Sequence, residues 1–147
     1  IIIIFIIAFL VMFKPFKSNN DFQFKTISSS CDAFTISGSI AYNASKTAIS
    51  ITNIKYCGGN DEQEYKMIEC TLYESHDNIL KKISTYKTEQ ERIKLEDFLQ
   101  KVTLSVDNYQ SSCSYFEKEN LYLSINATDY NNKTTTYKVP LKLDNCN

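Results

Sequence analysis

The stretch FTISGSIAYNASKTAISITNIKY, residues 34–56, predicts two β-strands joined by a tight polar turn. In its first half the apolar residues Phe34, Ile36 and Ile40 lie two or four positions apart, which is the spacing of a strand with one buried face. The turn falls on 43–46, where Asn, Ser and Lys replace the apolar residues. We therefore expect an antiparallel hairpin at the start of the folded part of the chain.

The second strand of this hairpin changes phase part of the way along. Ile49 and Ile51 share one phase, whereas Ile54 lies in the other. Because one extra residue in a strand moves all later side chains to the opposite face, this slip predicts a β-bulge at Thr52 and Asn53.

The same alternation recurs after residue 56 and predicts a β-sandwich. Residues 64–74 are apolar in both phases, which is typical of a central strand, and Pro140 favours an edge position for the last strand. About seven short strands with frequent turns indicate an immunoglobulin-like layout, although the chain contains no Trp. The further strands are expected in EYKMIECTLYE (64–74), ILKKISTY (79–86), VTLSV (102–106), LYLSINA (121–127) and YKVPLKL (137–143).

One segment has the period of a helix instead of a strand. Its apolar residues follow the i, i+3, i+4, i+7 spacing of a helical stripe. Thr88 and Glu91 have the spacing of a capping box at its start. We expect one short helix over 89–100 that covers an end of a sheet. The stripe consists of Leu95, Phe98, Leu99 and Val102.

Composition and charge exclude several classes of protein. The chain has 147 residues, 16 basic and 17 acidic side chains and a net charge of −1. This balance gives no basic surface for tracking phosphates, so we expect no nucleic-acid partner. Ten Tyr and nine Phe favour strands, and three Gly and two Pro are too few for a disordered chain.

The N-terminus begins IIIIFIIAFLVMFKPFK, in which residues 1–13 are all apolar. This run is shorter than the roughly 20 residues that span a bilayer, so it fits the end of a longer transmembrane helix or the core of a signal peptide. A bulky, charged sequence follows it, where a cleaved signal needs small residues, and we favour an uncleaved anchor. We expect residues 1–17 to form this membrane anchor or signal remnant, 18–30 a polar tether, and 31–147 the β-sandwich domain.

Four of the five cysteines fall close to facing positions in the two predicted hairpins. Counting outward from the turn at 43–46 brings Cys31 to within one residue of the position opposite Cys57. Counting outward from the turn at 129–133 brings Cys113 near the position opposite Cys146. We expect the disulfides Cys31–Cys57 and Cys113–Cys146, which would indicate an oxidising compartment. The fifth, Cys70, lies in the doubly apolar strand and is expected to be a buried free thiol.

Three tyrosines suggest a binding surface on the outside of a sheet. Tyr122 alternates with two leucines, and Tyr65 and Tyr73 lie in the phase opposite to the aliphatic residues of their segment. Tyrosine combines a broad apolar ring with a polar hydroxyl, which suits contacts with a protein or a carbohydrate. We expect Tyr65, Tyr73 and Tyr122 to be candidates for such a face.

No pattern in the sequence points to catalysis, a cofactor or a metal. The single histidine, His76, lies between Ser75 and Asp77, but side chains adjacent in sequence diverge, so the three cannot form a triad. The cysteines lack zinc-site spacing, the acidic loops lack the EF-hand pattern, and the Gly58-Gly59 pair precedes no helix or Lys that would cradle phosphate. We expect no enzyme activity, no cofactor and no bound metal.

The expected function is a membrane-anchored, extracytoplasmic β-sandwich that serves as a binding or structural module of the cell envelope. Its expected partners are the membrane, through the N-terminal segment, and a protein or carbohydrate at the cell surface. Two alternatives stay open: a small hydrolase with a polar site on its loops, which would need a convergent polar cleft, and a cytosol-facing adaptor, which would need free thiols.

Overall fold

A computed structural model describes residues 23–30, 33–43, 47–58, 62–76, 79–89, 91–109 and 121–144, apart from the side chains of His76 and 107–109. Within these ranges the fold is all-β with one short helix, as the sequence predicts. Each of the seven predicted strand segments contains a strand. The elements are β1 (Gln23–Ser30), β2 (Phe34–Tyr42), β3 (Thr47–Tyr56), β4 (Glu64–Tyr65), β5 (Met67–His76), β6 (Ile79–Thr88), β7 (Ile93–Lys94), α1 (Leu95–Leu99), β8 (Leu104–Tyr109), β9 (Leu121–Thr128), β10 (Thr134–Pro140) and β11 (Lys142–Leu143).

The strands form two larger sheets and one small one. The five-stranded sheet has the order β11-β1-β2-β3-β8, the four-stranded sheet has the order β10-β9-β5-β6, and β4 pairs with β7. Neighbouring strands are antiparallel. Buried residues of both larger sheets belong to one hydrophobic cluster, which fits a β-sandwich.

The β2–β3 hairpin has the predicted turn and the predicted bulge. Tyr42 lies opposite Thr47, so the turn falls where the polar residues indicate. The register then shifts by one residue at Thr52, between the pairs that Gly38 and Ser37 form with β3. Since this extra residue is skipped in the pairing, the buried phase of β3 changes there, and isoleucines on both sides of the bulge face the core.

The polar stretch before β2 corrects one prediction. Residues 18–30 were expected to form a tether, but Gln23–Ser30 form β1, which pairs with β2 along its whole length. Ile27 is buried, and Ser29 is mostly buried. The alternation was hidden because Ile27 is the only large buried side chain of β1, whereas its other large apolar residue, Phe24, points outward.

The helix is shorter than the predicted range 89–100. It spans Leu95–Leu99, and its N-cap residue Lys94 makes no side-chain capping bond. Arg92 has a positive φ of 59° and Ile93 pairs with Tyr65, so the chain is not yet helical at these residues. The capping pair predicted at Thr88 and Glu91 is therefore wrong, since Thr88 ends β6. The apolar stripe itself is buried, as its spacing indicated.

The last strand lies at an edge, as Pro140 predicted, but it also changes sheet. β10 is the outer strand of the four-stranded sheet. The Leu141 amide still donates to the Leu121 carbonyl in that sheet (3.0 Å), whereas Lys142 already lies opposite Ser28 in the five-stranded sheet. The Pro140 carbonyl accepts a hydrogen bond from the Ser29 hydroxyl of β1, so Pro140 faces β1, where its lack of an N–H interrupts no hydrogen bond to β9.

The predicted membrane anchor, residues 1–17, lies outside the described residues. Within the part of the chain that the structure describes, no helix is long and apolar enough to cross a bilayer.

Candidate functional site

The face of the four-stranded sheet that points away from the core, here called the outer face, carries the candidate site. Along β9 the buried core residues Leu123 and Ile125 alternate with Tyr122, Ser124 and Asn126, which therefore point outward. The register aligns the outward residues of all four strands in rows, and the rows are Lys87–Glu69–Asn126–Thr136, Thr85–Thr71–Ser124–Lys138 and Lys82–Tyr73–Tyr122–Pro140.

Two of the three predicted tyrosines meet on this face. Tyr73 and Tyr122 lie directly opposite each other on β5 and β9, and their rings stack with centroids 5.4 Å apart and 18° between their planes. The Lys138 ammonium lies 4.0 Å from the centroid of the Tyr122 ring. Such a cation–π contact contributes about 0.5–1 kcal/mol at an exposed site. We call Tyr73, Tyr122 and Lys138 the tyrosine–lysine cluster.

The cluster holds Tyr122 in a protected environment. Its side chain is only 6% exposed, although it points away from the core. Burial raises the pKa of the Tyr122 hydroxyl above its usual value, and the neighbouring Tyr73 adds to this effect. The upward shift favours the neutral hydroxyl, which can donate a hydrogen bond.

Polar side chains beside the cluster are hydrogen-bonded to one another. The Thr71 hydroxyl lies 3.1 Å from that of Thr85 and also donates to the Glu69 carboxylate (3.3 Å). On the β9–β10 side, the Thr136 hydroxyl donates to the Asn126 carbonyl oxygen at 2.8 Å. These bonds fix the side chains of the surface before any partner arrives, which lowers the entropy cost of binding.

The third predicted tyrosine, Tyr65, does not share this face. It lies in β4, pairs with Ile93 and is buried within the core cluster. The predicted continuous strand 64–74 is interrupted at Lys66, whose amide donates to the Thr128 carbonyl (2.9 Å). The interruption breaks the alternation, so the phase that Tyr65 shares with Tyr73 does not place the two side chains on the same face.

Sequence reasoning missed Lys138, although the signal was present. The turn at 129–133 sets Lys138 opposite Ser124, which lies two residues from Tyr122 on the same face of β9. A four-carbon side chain can reach a ring at that diagonal position. Extending the register of the last hairpin would have placed the ammonium beside the ring.

The structure gives the predicted Cys31–Cys57 disulfide no support. The Cys57 thiol is free and exposed, and the Cys57 amide donates to the Ala33 carbonyl (2.7 Å). The bulge at Thr52 thus moves the position opposite Cys57 to Ala33. Cys31 itself lies outside the described residues.

The predicted Cys113–Cys146 disulfide also lies outside the described residues. The hairpin register on which it was based holds from Thr134 to Pro140. Because the chain then moves to the other sheet, the register cannot be extended to Cys146, and the pair stays a prediction.

Two cavities lie away from the tyrosine–lysine cluster. One cavity of about 550 Å³ lies where the chain passes from β10 to β11, and one of about 290 Å³ lies beside the 129–133 turn. In the first, the Ser28 hydroxyl donates to the Asp144 carboxylate at 2.9 Å. In the second, the Lys66 ammonium donates to the Asn132 side-chain oxygen at 3.2 Å. These polar groups already satisfy one another, so neither cavity presents a stronger site than the outer face.

Among the described residues, no three His, Cys, Asp or Glu side chains converge in a way that could hold a metal ion. In comparisons with known proteins, no family, no characterised protein and no solved structure matches the chain. The functional assignment therefore depends on the geometry of the outer face.

Cys70 is the buried free thiol that the sequence predicted. Burial raises its pKa from 9.0 to about 12, with a smaller contribution from Glu69. Above pH 9 the unfolded chain releases a proton that the folded state keeps, so the stability contributed by Cys70 falls as the pH rises from 9 towards 12. We expect the free energy of unfolding, measured by urea titration, to fall less steeply over this range in Cys70→Ala than in the wild type. Cys57→Ala is the control, because it removes the exposed thiol and leaves the buried thiol of Cys70 in place.

Proposed function

We propose that the chain is a membrane-anchored, extracytoplasmic module with an immunoglobulin-like β-sandwich, and that its outer face binds a protein partner at the cell surface. The observation that carries the binding proposal is the tyrosine–lysine cluster on an otherwise polar sheet face. The membrane anchor is inferred from the apolar run at 1–13, and the outward orientation from the predicted Cys113–Cys146 pair.

The strand order supports the immunoglobulin-like layout. In such folds strand B lies between A and E in one sheet, and strand F lies between C and G in the other. Here β3 lies between β2 and β8, and β9 lies between β5 and β10. The hairpin partner β6 beside β5 corresponds to an additional C′ strand. β1 and β11 extend the other sheet beyond its first strand.

A flat protein surface fits this face better than a sugar does. A sugar that stacks on an aromatic ring needs an open ring face, but Tyr122 is only 6% exposed and its ring already contacts Tyr73 and Lys138. Tyr73 is partly exposed and its ring is held in place against the covered ring of Tyr122, so a protein partner would contact Tyr73 in a pre-ordered patch. Tyrosine is enriched at the energetic centres of protein interfaces, where prior ordering favours affinity.

The test uses a photo-reactive amino acid in the full chain, expressed in intact cells. Thr136 is exposed on the outer face, and Ser39 is exposed on the outward side of the five-stranded sheet, so the second position is a matched control. We expect a discrete protein adduct from position 136 alone. Tyr73→Ala should reduce its yield by about tenfold, since truncating a central interface tyrosine commonly costs 1–2 kcal/mol or more.

The outcomes separate the parts of the proposal. Adducts of the same pattern from positions 136 and 39, or an adduct that Tyr73→Ala leaves intact, would contradict the outer-face site. An adduct that contains carbohydrate only would change the partner class. Protease added outside the cells should digest the adduct, and protection from it would contradict the outward orientation.

A further inference from the structure

Exposed apolar side chains are concentrated at one end of the domain. Phe24 is 74% exposed, Ile79 70% and Leu80 57%, and Tyr130 is the fourth large apolar side chain exposed among the described residues. Scattered exposed residues are normal on a protein surface, but a group at one end marks an interaction surface. The strand register places the first three at the same end of the domain.

Phe24 lies at the beginning of β1, at the end of the five-stranded sheet next to the turn at 43–46. The Asp144 amide donates to the Thr26 carbonyl at 3.0 Å, so the chain runs from β11 towards Phe24. β10 and β11 therefore run towards the end of the domain that carries Phe24.

The four-stranded sheet brings Ile79 and Leu80 to the same end. Leu141, just before β11, donates its amide to Leu121. Leu121 lies opposite Glu74 on β5, and β5 continues from there to the hairpin in which Ile79 and Leu80 begin β6. Since β5 and β10 are both antiparallel to β9, β5 runs in the same direction as β10, and its hairpin lies at the Phe24 end.

The N-terminal segment joins the domain at the same end. β1 begins at Gln23, directly after the nine residues 14–22 that separate it from the apolar run 1–13. Nine residues reach at most about 30 Å when fully extended, which is about the length of one long strand of the domain. An anchor at 1–13 would therefore keep this end close to the bilayer.

We propose that the end of the domain formed by Phe24, Ile79 and Leu80 rests on the lipid bilayer and inserts these side chains into its interfacial region. The inference depends on the proposed membrane anchor, and it adds the orientation of the domain and a second membrane contact. The occupant is lipid because the chain is tethered at this end. Residues 74–82 of the hairpin contain two acidic residues and two lysines, Lys81 and Lys82, so their formal net charge is zero. Apolar contact therefore supplies the attraction to the bilayer.

The chain contains no tryptophan, which makes a fluorescence test direct. Single variants Phe24→Trp, Leu80→Trp and Tyr130→Trp of the full chain are reconstituted in phosphatidylcholine liposomes with or without acyl-chain bromination. Interfacial side chains lie about 5–10 Å deep, so bromine should reduce emission about twofold for the variants at 24 and 80. Tyr130 lies in the β9–β10 turn at the opposite end and is the control, for which we expect no quenching. Urea unfolding of each variant confirms that it is folded.

Flotation of the liposomes separates this inference from the proposed function. Protein that does not float with the lipid would overturn both. Protein that floats but shows no more quenching at positions 24 and 80 than at 130 would leave the anchor intact and overturn the bilayer contact. The same variants are also measured in detergent at increasing protein concentration. If their emission shifts with concentration there, and bromine does not quench it in liposomes, this end contacts a second copy of the chain and the inference is overturned.

Discussion

Replacing Phe34 by alanine is expected to lower the free energy of unfolding by about 3–5 kcal/mol. Phe34 is fully buried at the start of β2. Its ring lies 5.2 Å from that of Tyr56 in the same sheet and 5.0 Å from that of Tyr137, which lies in the four-stranded sheet. The substitution removes a side chain that joins the two sheets and leaves a cavity between them. A domain of this size has about 5–15 kcal/mol of stability in total, so urea titration should show a large shift of the midpoint.

Phe24→Ala is the matched control for this loss. Both residues are phenylalanines in adjacent strands of one sheet, but Phe24 is 74% exposed. Its removal should change the free energy of unfolding by no more than about 0.5 kcal/mol. Equal effects at the two positions would contradict the packing of Phe34 between the sheets.

Gly38→Ala is expected to destabilise the domain by about 2–3 kcal/mol, an overpacking effect inside the β2–β3 hairpin. A Cβ atom at Gly38 would fall well inside contact distance of the Ser50 carbonyl oxygen and 3.0 Å from the Ile51 Cα. Both are backbone atoms, so relief requires the two strands to move apart at the bulge. The smaller unfolded-state entropy of alanine offsets only about 0.4–1 kcal/mol of this cost.

The control for Gly38→Ala is Ser39→Ala, at the next position along β2, where the side chain is exposed. We expect this variant to unfold within about 0.5 kcal/mol of the wild type. A Gly38→Ala protein with wild-type stability would show that the bulge is looser than its backbone contacts indicate. Thermal denaturation provides a second measurement of both variants.

The sequence predicted the strands well because most of them have one buried face. Apolar residues at every second position indicated most of the seven predicted strands, and a change of their phase indicated the bulge at Thr52. The central position of β5 was predicted because its segment is apolar in both phases. The burial of Cys70 followed from its place in a segment that is apolar in both phases. β1 was missed because its single large buried residue, Ile27, gives no periodic signal.

The candidate site was predicted less completely. Tyr73 and Tyr122 were identified separately by their phase, but their stacking depends on the pairing of β5 with β9, which are distant in sequence. Local hairpin register is set by a short turn, whereas pairing between distant strands is set by how the sheets assemble. For the same reason, the interruption at Lys66 removed Tyr65 from a face that its spacing alone had suggested.

The sequence by itself determined the all-β class, the hairpin at 34–56, the buried residues of the strands and the edge position of Pro140, because these follow from local alternation and turn chemistry. Only the tertiary structure decided which strands are neighbours, that the chain changes sheet after Pro140, and that Lys138 lies over the ring of Tyr122. It also brought Phe24 to the same end as Ile79 and Leu80. The physical reason is that alternation specifies which face of a strand is buried, whereas the neighbours of that strand depend on packing all the buried faces into one core.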